Sequence, residues 1–236
     1  MTYVERLWAK GGNDVLHWGW LAGRLTKQEK LTRPLLIGIR GVGPEERETH
    51  PLIARPAYDD TFVLLDPSGE NEPFVFAGAT HAYQKDSKLS PDVDGDGRGD
   101  VGTIRAGKYV LTLALEKPHP IFILTMPDGN GKIPCIRDTD HDGKFSAAEI
   151  ERQSTATAVL LHTGFDAPAS AAHRSSIACQ TCSLSHLKLL ASYAKKHGGK
   201  IDYPLVTADD ALDILAESPF WTSDTDPDEL APEFES

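Results

Sequence analysis

From Pro34 to Gly164 the chain repeats one pattern: a short apolar run, then a cluster of turn-forming residues. The runs are "PLLIGIRGV" (34–42), "DTFVLLD" (60–66), "PFVFAGAT" (73–80), "GKYVLTLAL" (107–115), "PIFILTM" (120–126), "KIPCIRD" (132–138) and "ATAVLLHTG" (156–164). Each is short, apolar and bounded by Gly, Pro, Asp or Ser, which is how strands read. The last is apolar over consecutive positions, as in a central strand covered on both faces. Helical signals are fewer. Ser146 with Glu149 three residues on is a capping-box pattern opening "SAAEIERQ" (146–153). "SLSHLKLLASYAKKHGG" (183–199) keeps helical spacing through Leu184, Leu187, Leu190, Ala191 and Ala194, and Gly198 can cap it. Thr207 N-caps "TADDALDILAES" (207–218). The pattern predicts an α+β, β-rich fold.

At 236 residues the chain can bury a sizeable core. We expect a main domain over 34–218, an N-terminal extension over 1–33 that packs on it through Trp8, Trp18 and Trp20, and an acidic tail over 219–236. The net charge of −11 argues against nucleic acid as a partner. No stretch approaches the roughly 18 apolar residues of a membrane span, and the first 20 residues lack a signal-peptide h-region. Three cysteines, an odd number, argue against a disulfide framework and for a reduced or functional thiol.

Two Asp-rich segments carry metal-ligand spacing. "DTDHDGKFSAAE" (138–149) fits the calcium loop D-x-D-x-D-G-x5-E. Asp138, Asp140 and Asp142 would give monodentate oxygens and Gly143 the sharp turn. Lys144 would give its carbonyl, Ser146 a direct or water-borne contact, and Glu149 a bidentate carboxylate. "DVDGDGRGDVGT" (92–103) is a partial copy: Asp92, Asp94, Asp96, Gly97 and Asp100 fit, Arg98 holds the carbonyl position, and Thr103 replaces the glutamate. Neither loop has helices on both sides, so we expect a structural clamp, with one calcium at 138–149 and a second at 92–103.

The segment "LLHTGFDAPASAAHRSSIACQTCSLSH" (160–186) concentrates thiol and imidazole groups. Zinc would use Cys179, Cys182 and His186 with His162 or His173, but a second ligand pair of standard spacing is missing. A redox CxxC would need a thioredoxin-like β-α-β context. Acyl transfer would pair Cys179, read as lying where a loop enters a helix, with His162 at the end of a buried strand. The helix start would then stabilise a thiolate and supply oxyanion donors.

His162 with Gly164, and Ser176 with Cys179, resemble the active-site signature of the L,D-transpeptidase (YkuD-like) family, in which a strand ending in His-x-Gly leads to Ser/Thr-x-Gly-Cys. "IRAGKY" (104–109) resembles that family's strand entry, and the helix after Cys179 resembles its following helix. Ala178 stands where the family has Gly, Ile177 where it often has His, Gln180 where it has an apolar residue, and Arg174 lies before the cysteine where the family's Arg follows it. The resemblance implies a YkuD-like mixed β-sandwich or barrel with the calcium loops inserted. It also implies attack on L,D peptide bonds of peptidoglycan stem peptides. Cys179 would form a thioester, His162 would take and return the proton, Ser176 would orient the loop, and N–H groups near Ala178 and Cys179 would hold the oxyanion. Transpeptidation, amino-acid exchange and hydrolysis would differ only in the acceptor. The other class of reading is a calcium-binding interaction module that keeps the fold without the chemistry. Peptidoglycan lies outside the cytoplasm, so a chain without a signal peptide would act as an effector carried out by a secretion machinery, with a cognate inhibitor as a further partner.

Overall fold

The computed structural model describes residues 14–28, 30–46, 48–54, 57–69, 71–82, 90–116, 118–164 and 178–217. Eight strands close into a barrel. In chain order they are β1 (Leu35–Arg40), β2 (Asp60–Leu65), β3 (Phe74–Ala79), β5 (Gly107–Leu115), β6 (Ile121–Thr125), β9 (Leu160–Thr163), β10 (Gln180–Cys182) and β11 (Lys200–Thr207). Around the barrel they run β1-β11-β5-β6-β9-β10-β3-β2. The pairs β1–β11 and β9–β10 are parallel and the rest antiparallel. A separate three-stranded sheet joins β4 (Gly102–Ile104), β7 (Ile133–Arg137) and β8 (Ser154–Ala156) in the order β4-β7-β8. The helices described are α1 (Asp14–Thr26), α2 (Ala147–Glu151), α3 (Leu184–Lys196) and α4 (Ala208–Ala216). None is long and apolar enough to cross a membrane.

Alternation along β1 explains the layers. Leu36 faces the interior with Phe62, Tyr109, Phe122, Leu161 and Tyr203. Leu35, Ile37 and Ile39 face outward and are covered by Trp18, Leu21 and Ala22 of α1 and by Ala211 and Leu215 of α4. Both faces of β1 are therefore buried, which is why its sequence is almost uniformly apolar. Residues 14–26 thus form a helix against the barrel wall. The stripe Leu187, Leu190, Ala191 and Ala194 of α3 joins the interior cluster. Ile104, Ile133, Cys135 and Ala156 of the small sheet belong to that same cluster, so the small sheet shares the barrel's core.

Three expectations are corrected. The run 156–164 is not one strand: Ala158 takes a left-handed φ of 54°, so β8 ends in the small sheet and β9 begins in the barrel. Nothing in an apolar run signals that turn, since alanine rarely adopts it. Cys179 does not open a helix. It directly precedes β10, and α3 begins only at Leu184, N-capped by the Ser183 hydroxyl, which accepts the His186 N–H. Cys182, expected one helical turn beyond Cys179, is the last residue of β10. A helix-dipole contribution to a Cys179 thiolate is therefore withdrawn.

Candidate functional site

The two acidic loops leave the same end of the small sheet. Strand β4 pairs antiparallel with β7, Gly102 opposite Arg137, and the Asp138 N–H donates to the Val101 carbonyl. The 92–101 segment enters β4 where the 138–146 segment leaves β7, so pairing sets the loops side by side. Their backbones are alike. In each, the first Asp accepts the N–H of the sixth residue: Gly143 to Asp138 at 2.9 Å, Gly97 to Asp92 at 2.9 Å. The third accepts from the fifth, Asp142 to Asp140 and Asp96 to Asp94, and the fifth from the seventh, Lys144 to Asp142 and Arg98 to Asp96. Positions four and six take positive φ in both, at His141 (58°) and Gly143 (85°), and at Gly95 (85°) and Gly97 (87°).

Several acidic clusters in this region could hold a metal ion. In the 138–149 loop, carboxylate oxygens of Asp138, Asp140 and Glu149 converge within 4.8 Å; Asp142 is outside that group. Glu149 is fixed before any ion arrives: one oxygen accepts from the Thr139 N–H and hydroxyl, the other from the Ser146 N–H and hydroxyl. Burial pushes its carboxyl up, but those N–H donors outweigh it and hold it below the usual range. Asp138 is fully buried and its Oδ1 has no hydrogen-bond partner. Burial, then the charges of Glu149 and Asp140, push its carboxyl up to about 6 against the pull of the Gly143 N–H. An orphaned buried oxygen beside two further carboxylates is what a hard cation would relieve. In the 92–103 loop Asp92, Asp94 and Asp96 converge on the surface, while Asp100 is buried. Thr103, expected in the glutamate position, lies in β4 and donates its hydroxyl to the Thr80 carbonyl at 3.0 Å, so it takes no part in a cation site.

Strands β9 and β10 place the thiol and imidazole. Their parallel register sets Gln180 opposite Leu161, Thr181 opposite His162 and Cys182 opposite Thr163. Leu161, Ala178 and Cys182 belong to the interior cluster, and the Gln180 amide bonds inward to the Thr80 carbonyl and the Tyr203 hydroxyl. Alternation therefore turns His162, Thr181 and Cys179 to the barrel's outer face. Cys179 lies two residues before Thr181, the strand partner of His162. Both are buried, at 8% and 2% exposure. The His162 Nδ1 lies 2.6 Å from the Thr163 carbonyl, which places the proton there and leaves Nε2 as the acceptor of the neutral ring. Gly164 follows. Its N–H donates to the Tyr58 hydroxyl at 2.9 Å, and Tyr58 donates to the Cys182 carbonyl at 3.1 Å. A Cβ at Gly164 would stand 2.6 Å from the Tyr58 oxygen, so the glycine is required by close approach.

Residues 165–177, with Arg174, Ser176 and His173, lie outside the described residues. Cys179 directly precedes β10 and Cys182 ends it, three positions on along extended chain, which turns the two to opposite faces; no disulfide joins Cys135, Cys179 or Cys182. Among the described residues, the clusters with converging ligand atoms do not include Cys179. Gln180, expected beside the nucleophile, points into the barrel's polar end. There Asp60 accepts from the Gly41 N–H, the Thr80 N–H and the Thr80 hydroxyl, and Arg40 donates to the Thr80 hydroxyl and carbonyl.

The register also brings in two residues that sequence reasoning missed. Strand β10 pairs with β3, Thr181 opposite Ala79; His81 lies two residues after one member of that pair and Cys179 two residues before the other. His81 is buried, its Nε2 2.6 Å from Asp59 Oδ1 and its Nδ1 2.9 Å from the Ala82 carbonyl. Burial pulls the imidazole down, but the Asp59 hydrogen bond and the charges of Asp60 and Asp59 outweigh it, so its pKa is raised. "GATHAY" carries no motif that marks His81; the pairing of β3 with β10 is what sets this segment beside the one that carries Cys179. No protein-family model matches the chain, and no curated protein does either.

Proposed function

We propose that the protein is a cysteine acyltransferase or hydrolase acting on L,D peptide bonds of peptidoglycan stem peptides, on a YkuD-like barrel clamped by calcium. The observation that carries this reading is the β9–β10 register, which with strand alternation puts His162 and Cys179 on one outer face of the barrel, with a glycine held by Tyr58 two residues after the histidine. Cys179 attacks the scissile carbonyl. His162 Nε2 takes the thiol proton and returns it to the leaving amine. The thioester then passes to an amine or to water. His81, whose pKa is raised by its hydrogen bond to Asp59, would favour a Cys179 thiolate by charge when protonated. Backbone N–H groups ahead of β10 serve the oxyanion, because the helix start lies too far along the chain.

The calcium at 138–149 is structural. Asp138, Asp140 and Glu149 would hold it, and the loop is tied to the segment before the site through the Ala54 N–H, which donates to the Gly143 carbonyl at 2.8 Å. That segment continues to Tyr58 and Asp59. Such a loop fills where calcium is plentiful, which suits action in the periplasm or wall, as an exported effector. The test is incubation of the reduced, calcium-loaded protein with muropeptides, followed by mass spectrometry. Changed stem peptides that Cys179→Ser leaves intact support the reading. Unchanged muropeptides with the unaltered protein leave the calcium-binding interaction module in its place.

A further inference from the structure

We infer that His141, Asp96 and Asp100 form a site for one divalent transition-metal ion of the zinc type, which ties the two acidic loops to each other. The site is distinct from the calcium cluster of Asp138, Asp140 and Glu149, and it rests on neither calcium occupancy there nor the acyl-transfer chemistry.

His141 occupies position four of the 138–149 loop, where a calcium loop needs no ligand side chain. Its backbone is left-handed, with φ of 58°, and its ring reaches the carboxylates of the neighbouring loop. The ring is almost wholly enclosed, with 1% of the side chain exposed, and its Nε2 lies 3.4 Å from Asp96 Oδ2 and 3.4 Å from Asp100 Oδ1. The ligand atoms of all three residues lie within 4.8 Å of one another.

The second oxygen of each carboxylate is already used. Asp96 Oδ1 accepts the Arg98 N–H and Asp100 Oδ2 accepts the Val93 N–H, both at 2.7 Å. The loop backbone therefore aims one oxygen of each at His141. Yet neither ring nitrogen of His141 makes a hydrogen bond, and neither does Asp100 Oδ1, on a residue with no exposure. Buried groups of this kind are normally partnered. A charge-assisted hydrogen bond would draw them to about 2.7–2.9 Å. A tetrahedral ion with bonds of about 2.1 Å would instead hold its ligands about 3.4 Å apart, the spacing seen. The nitrogen decides the class of ion: calcium and magnesium take oxygen ligands, whereas imidazole with carboxylates suits zinc and its neighbours. Water would complete the coordination.

Cobalt(II) titrated into the full-length protein, with calcium saturating, tests the site. We expect visible d–d absorption that saturates at one equivalent and is bleached by zinc. His141→Ala and Asp100→Asn should each abolish it, with the calcium-binding heat of the 138–149 loop retained. Asp96 is partly exposed, so Asp96→Asn provides a variant that leaves the buried packing intact, and it should weaken cobalt binding with an unchanged circular dichroism spectrum. No absorption in the unaltered protein, absorption that survives in His141→Ala, or absorption seen only when calcium is left out would each overturn the inference. The last would assign these carboxylates to the calcium loop.

Discussion

The hydroxyl of Tyr58 sits between Gly164 and Cys182, accepting the N–H of one at 2.9 Å and donating to the carbonyl of the other at 3.1 Å. One side chain thus pins the C-terminal ends of two parallel strands, β9, which carries His162, and β10, which Cys179 directly precedes. Its ring lies against the Gly164 Cα, so a methyl there meets Tyr58 at 2.6–3.0 Å. Gly164→Ala should destabilise the protein by about 1–3 kcal/mol through overpacking. Tyr58→Phe should cost about 1–3 kcal/mol by leaving its former partners unmet. Urea denaturation of both variants checks this. No loss of stability in Gly164→Ala would mean that the ring is not packed there.

Calcium should raise the melting temperature and a chelator lower it, because Asp138 otherwise buries an oxygen without a partner. Glu149→Gln removes a charged ligand. A glutamine keeps one acceptor oxygen, for the Thr139 or the Ser146 N–H, and turns its NH2 toward the other, so the calcium-free protein should lose about 1–3 kcal/mol, while the calcium-induced rise should largely vanish. An undiminished calcium response in Glu149→Gln would contradict this role.

The raised pKa of His81 fixes the sign of a pH effect. The group binds its proton more tightly folded than unfolded, so its contribution to stability is fully present below the unfolded value of about 6.5 and is lost as pH rises through the folded pKa. Asp59→Asn removes the hydrogen-bonded carboxylate that opposes burial. Denaturant midpoints at pH 5.5 and pH 9 should therefore differ less in Asp59→Asn than in the unaltered protein. Equal differences would show that the pair does not stabilise the imidazolium.

Much of this arrangement was legible in local chemistry. The capping box of Ser146 and Glu149 and the Thr207 cap accepting from Asp210 formed where the residue types called for them. Strands β1, β2, β3 and β5 follow apolar runs bounded by turn residues. The rest depended on partners distant in the chain. Strand β10 is "QTC", three residues that are buried only because β3 and β9 flank them, and without those neighbours the stretch reads as the start of a helix. Strand β11 contains Pro204, which discourages a central-strand reading; its pairing with β1 passes over that residue. Asp138 and Glu149 could be named from spacing, whereas His141 could not, because its partners Asp96 and Asp100 belong to another loop. His81 enters the account only through the pairing of β3 with β10.

The site chemistry makes a graded claim about His162. With Nδ1 held at the Thr163 carbonyl, only Nε2 can act as base, so His162→Ala should lower turnover by about 10²–10⁴-fold. Thr181→Val, on the same face but without an assigned role in proton transfer, should leave turnover within about tenfold. Steady-state rates on a defined stem peptide would compare the two, and an active His162→Ala protein would move the role of base to His81.

The central claim is a covalent acyl group on Cys179. Intact-protein mass spectrometry after rapid mixing of the reduced, calcium-loaded protein with a stem peptide reads it directly. The account predicts an added acyl mass that proteolysis places on the peptide containing Cys179, that is absent in Cys179→Ala, and that decays faster when an amine acceptor is supplied. Turnover of the stem peptide with no adduct on that peptide, and with Cys179→Ala equally active, would contradict it.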